Sequence, residues 1–104
     1  MIYGYNKSFY KKTAIEIAEL VEKKNKDYGN SFEKTISEYG NTAYYLRIDD
    51  KLSRLKSLEN KKALVNESRI DTLKDIIGYT LLMLEIESKK SKDVSKWILK
   101  WMIG

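Results

Sequence analysis

Residues 66–88 read NESRIDTLKDIIGYTLLMLEIES, and the reading of this stretch decides the fold. Ile70, Leu73, Ile77, Leu81 and Leu84 recur at the three- and four-residue steps of one helix face, and no proline interrupts them. The spacing predicts a long helix from about Asn66, as cap, to about Ser88, with that line as its buried seam. Towards the N-terminus, Ala14, Ile17, Ala18 and Val21 predict a first helix over about Ser8 to Lys26. A short helix over Ser31 to Tyr39 follows and stops at Gly40-Asn41. Asn41 or Thr42 can then cap a third helix reaching about Leu58, with Ile48, Leu52 and Leu55 as its apolar line. Beyond the decisive stretch, Ser91 opens a last amphipathic helix over about 91–103, with Asp93 in its first turn and Val94, Trp97, Ile98 and Trp101 on one face. The expectation is one all-α domain over residues 1–104, a compact bundle of about five helices without repeats or linkers.

Composition narrows the chemistry. The 104 residues include no Cys, His or Pro, which excludes disulfides, thiolate or imidazole zinc sites, and any nucleophile pair or acid/base built on histidine. A metal would have to sit on oxygen. The charge of +5 comes from 20 Lys+Arg against 15 Asp+Glu. It favours anionic partners, yet acids are interspersed among the bases, which speaks against direct nucleic-acid binding. No apolar run reaches the roughly 18 residues of a membrane span, and the N-terminus has no signal-peptide layout, so the expectation is a cytoplasmic protein without membrane contact. A chain this short builds a thin core. Together with the stripe ending at Trp101, that predicts a homodimer or a higher homo-oligomer.

Three segments could carry chemistry. On the fourth helix, Glu67, Asp71 and Asp75 fall four residues apart, drifting about 80° in all, so three carboxylates line one side. That is either a solvated acidic face or a place for a hard cation such as Mg²⁺. On the third, in Arg47-Ile48-Asp49-Asp50-Lys51-Leu52-Ser53-Arg54-Leu55, the residues Arg47, Asp50, Lys51 and Arg54 share a face. These are either intrahelical ion pairs or a set with Asp50 as a further metal ligand and the cations on phosphate oxygens. The segment Lys24-Asn25-Lys26-Asp27-Tyr28-Gly29-Asn30-Ser31-Phe32 is either a helix stop or a loop that closes over a base. In the second case Tyr28 or Phe32 would stack and the amides would read hydrogen-bonding edges.

These three motifs in this order, with Tyr79, resemble the phage and prophage nucleotide-modification-associated domain family over roughly residues 10 to 88. That family is similar to the all-α NTP pyrophosphatases of MazG and dimeric dUTPase type. The resemblance implies a MazG-like domain in which acids of two facing helices hold Mg²⁺, or Mn²⁺ in its place, against a nucleoside triphosphate while water attacks the α-phosphorus. Carried onto this chain, it makes Asp50, Glu67, Asp71 and Asp75 the metal ligands, with Asp50 and Asp75 catalytic. Lys24, Asn25, Asp27, Tyr28 and Asn30 would meet the nucleotide from the loop, and Arg47, Lys51 and Arg54 from the third helix. The chain departs from the pyrophosphatase pattern by offering one acid, Asp50, where those enzymes carry E-x-x-E. The resulting expectation is a Mg²⁺-dependent nucleotide pyrophosphohydrolase-like protein that acts on or binds a (deoxy)nucleoside triphosphate. Its rival is a non-enzymatic phage interaction protein, directed at a host factor or a defence system, that retains the helical scaffold.

Overall fold

The computed structural model describes residues 7–28, 30–59, 65–90 and 101–102. Among them are four helices: α1 (Lys7–Asp27), α2 (Ser31–Tyr39), α3 (Thr42–Leu58) and α4 (Val65–Lys90). The described architecture is all-helical. Trp101 and Met102 are helical and exposed, whereas Val94, Trp97, Ile98 and the remainder of the expected fifth helix lie outside the described residues. No described helix is long and apolar enough to cross a membrane.

Helix α4 is the member that α1, α2 and α3 all pack against. Its buried line is Thr72, Met83 and Ile86 with Ile76 and Tyr79 half-buried, and not the expected Ile70, Leu73, Ile77 and Leu84, which are 43–52% exposed. Two residues of helix turn through about 200°, so the line beginning at Thr72 lies opposite the line beginning at Ile70. Both repeat at helical spacing. The structure buries the line whose polar groups find partners: Thr72 Oγ1 donates to Ser68 O at 2.7 Å, and the Tyr79 ring meets Phe32 at 5.7 Å between centroids. Met83, a flexible gap-filler, completes a cluster with Phe32, Ile36 and Ile86.

The other helices match expectation less evenly. On α1, Ile17 is buried and Ala18 and Val21 are half-buried, but Ala14 is exposed. On α3, Ile48 and Leu55 are half-buried while Leu52 is 41% exposed, because α3 crosses α4 through Tyr44, Lys51 and Leu55. Three polar links tie the pair together. Tyr44 OH meets Thr80 Oγ1 at 2.8 Å, Lys51 Nζ meets Asp75 Oδ2 at 3.2 Å, and Arg69 Nη1 donates to Leu55 O at 3.2 Å. Their order along the two helices makes α3 antiparallel to α4.

The helix starts also differ from expectation. Asn66 lies inside the first turn of α4, and Asn41 makes no side-chain cap. At Gly40-Asn41 the corner is closed by backbone. Gly40 N–H donates to Ile36 O at 2.7 Å, and Tyr44 and Tyr45 N–H both donate to Asn41 O. Gly40 holds φ 79° and ψ −172°, a region open in practice to glycine alone. A Cβ there would meet no atom within 4 Å, so any penalty is one of backbone conformation. Gly40→Ala is expected to lower stability by about 1–3 kcal/mol in urea denaturation with helicity retained. An unchanged midpoint would show that the corner relaxes freely.

Candidate functional site

A cavity of about 330 Å³ opens where α1 lies against α4 and the starts of α2 and α3 approach them. Gly78 permits this approach: a Cβ at that position would come within 3.2 Å of Val21 Cγ2. The floor is apolar, from Ile17, Val21 and Leu82. Three aromatic rings, Tyr28, Phe32 and Tyr79, supply one wall. Three cations, Lys24, Arg47 and Lys74, face a single lining carboxylate, Asp75.

The electrostatics follow from packing. The Arg47 guanidinium sits 5.9 Å from the centroid of the Tyr79 ring, whose other contact is Phe32, so cation and rings form one continuous surface. Lys51 reaches from outside the lining to Asp75 and offsets its charge. Lys74 Nζ donates to Glu16 Oε1 at 2.9 Å, fixing α1 to α4. The hydrogen bond from Lys74 to Glu16, then the Glu16 charge, with a smaller contribution from Asp71, raises the Lys74 pKa above its ordinary 10.5 against the lowering effect of desolvation. The folded value therefore exceeds the unfolded one. The pair's contribution is complete below the unfolded value and is lost only as pH rises through the folded value.

Of the residues singled out in the sequence, the cavity brings together Lys24, Asn25, Tyr28, Arg47 and Asp75, with Lys51 bound to Asp75. Asn25 Nδ2 donates to Asn30 Oδ1 at 2.6 Å. Asn30 holds φ 59°, so the α1–α2 turn is braced by its own amides. Asp27 is exposed and not in the lining. Asp50 and Arg54 are also exposed: one residue of helix is about 100°, so when Lys51 points at α4 Asp50 cannot. Asp71 is exposed beside Lys74, and the Glu67 side chain lies outside the described residues. Among the described residues no three acidic side chains stand together as a cation site. Lys74, Gly78 and Thr35 entered no sequence-level site, because Lys74 owes its placement to Glu16, 58 positions earlier.

Comparison with known proteins supplies one finding. The family model described as "nucleotide modification associated domain 1" matches residues 24–95, more than half of the chain. No curated protein and no solved structure matches. The matched span begins at Lys24 on the cavity wall and includes all of α2, α3 and α4.

The Lys51–Asp75 pair is partly exposed, at 27% and 41% of the two side chains. Asp75→Asn is therefore expected to change stability by less than about 1 kcal/mol in denaturant titration, and by less still in molar salt. A loss of several kcal/mol would show that the carboxylate is structural.

Proposed function

We propose that this chain, which belongs to the nucleotide modification associated domain 1 family, binds a nucleotide in the cavity between α1 and α4. The observation that carries the reading is the composition of that one cavity: aromatic rings, cations beside them, and a lining carboxylate already neutralised by a lysine. A base stacks on aromatic faces with little regard to sequence, each such contact contributing about 1–3 kcal/mol. Tyr28 lines the cavity and is 68% exposed, so it is the ring placed to close over a base. Among the described residues Arg47 and Lys24 form no ion pair, and they meet phosphate oxygens, with Lys74 held cationic beside them. Asn25 presents its remaining amide hydrogen-bonding capacity at the same wall.

This geometry supports binding more than hydrolysis. Pyrophosphate release from a triphosphate calls for metal ligands or a base near the α-phosphorus, and Asp75 is engaged by Lys51 while Asp50 and Asp71 face solvent. The likeness to MazG-type pyrophosphatases rests on the three sequence motifs alone. The bare outer face of α4 favours a second reading, an interaction protein, and the two readings use different sides of the same helix.

Calorimetric titration with ribo- and deoxynucleoside mono- and triphosphates, each in Mg²⁺, Mn²⁺ and EDTA, tests the proposal. Arg47→Ala is expected to weaken the best ligand about ten- to hundredfold, the effect of losing one charge-assisted contact. Tyr28→Ala should lose about 1–3 kcal/mol, and Glu22→Ala, exposed on α1 away from the cavity, should lose nothing. Absence of any nucleotide binding at millimolar concentration would end this reading. Pyrophosphate release that Asp75→Asn abolishes would establish hydrolysis in its place.

A further inference from the structure

The line that the core does not use remains to be explained. Ile70, Leu73, Ile77 and Leu84 are 52%, 47%, 45% and 43% exposed, and Leu81, on the same line, is half-buried. Leu20 of α1, 46% exposed, lines the cavity and is not part of this line. An exposed line of aliphatic side chains at helical spacing marks an interaction site.

The spacing of this line identifies its occupant. Counted from Ile77, Leu73 lies four residues before and Leu81 four after, and Ile70 lies seven before and Leu84 seven after. The line reads the same in both directions. An antiparallel copy laid against it about a two-fold axis at Ile77 would set Ile70 against Leu84, Leu73 against Leu81, and Ile77 against itself. That is the self-complementarity an isologous interface requires. The paired segment, residues 70–84, is about 21 Å long at 1.5 Å per residue. Acids and bases are absent from all five positions of the line, so no charge is buried by the pairing. We propose that two copies of this chain associate antiparallel through the Ile70–Leu84 face of α4, with Ile77 on the two-fold axis. The interface is independent of nucleotide binding, although the same helix presents Asp75, Gly78 and Tyr79 to the cavity.

The chain contains no cysteine, so single-cysteine variants of the full chain report proximity cleanly. Helices packed at about 8–10 Å between axes bring facing side chains within disulfide reach. In mild oxidant, Ile77→Cys is expected to give a covalent dimer by itself. Ile70→Cys and Leu84→Cys are expected to cross-link when mixed and not alone, and Glu22→Cys not at all. Light scattering is expected to give the unmodified chain twice its mass of 12.2 kDa. Ile77→Lys, which sets two lysines face to face, should return it to one copy with its helical circular dichroism retained. A monomeric unmodified chain, as when residues 91–104 cover this face from within one copy, would overturn the proposal. So would a dimer that survives Ile77→Lys, or cross-linking of Ile70→Cys alone, which requires parallel helices.

Discussion

Helix α4 is apolar on two opposite sides, and every other described helix is arranged around that fact. One side carries Thr72, Tyr79, Met83 and Ile86 and receives α2 and α3, while α1 meets the helix at Lys74 and Gly78. The links that set each helix in place also end on α4: Glu16 of α1 on Lys74, Glu33 of α2 on Lys89, and Lys51 of α3 on Asp75. These pairs are partly exposed and contribute little stability individually. Their effect is to select the register in which apolar contact occurs. The apolar core among the described residues is small, five buried side chains. A helix whose second apolar side stays wet leaves much of its driving force unused.

The cavity is a consequence of the same arrangement. Gly78 lets α1 come close to α4, and the cavity opens beside this approach. The gap is lined by whatever each helix presents there. From α1 this is Lys24, Asn25 and Tyr28 near its C-terminal end, and from α3 it is Arg47, anchored over Tyr79. Positive charge thus gathers at an aromatic wall while the nearest acids are paired with lysines.

The helices were legible because glycine and asparagine mark their ends: Ser31–Tyr39 is as expected, and α1 and α3 begin and end within a residue or so of expectation. The buried side of α4 was not legible. Ile70, Leu73, Ile77, Leu81 and Leu84 form the more purely aliphatic line, and nothing local shows that Tyr79 finds Phe32. The candidate site was legible in part for the same reason. Residues on one helix turn, such as Lys24, Asn25 and Tyr28, travel together into the cavity. Choosing between Asp50 and Lys51 required knowing the rotation of α3 about its axis to better than 100°, which its half-apolar line does not specify. The Glu16–Lys74 contact spans 58 positions and leaves no local trace.

The central claim is that α4 is dry on both sides in the working molecule. Isoleucine methyl spectra of the full chain, recorded with a water-soluble paramagnetic agent, test it most directly. The structure supplies internal standards: Ile17 and Ile86 are buried, at 3% and 7%, and Ile15 is exposed, at 50%. The account predicts that Ile70 and Ile77 keep sharp signals like Ile17 and Ile86 while Ile15 broadens. Broadening of Ile70 and Ile77 to the same degree as Ile15 would contradict it.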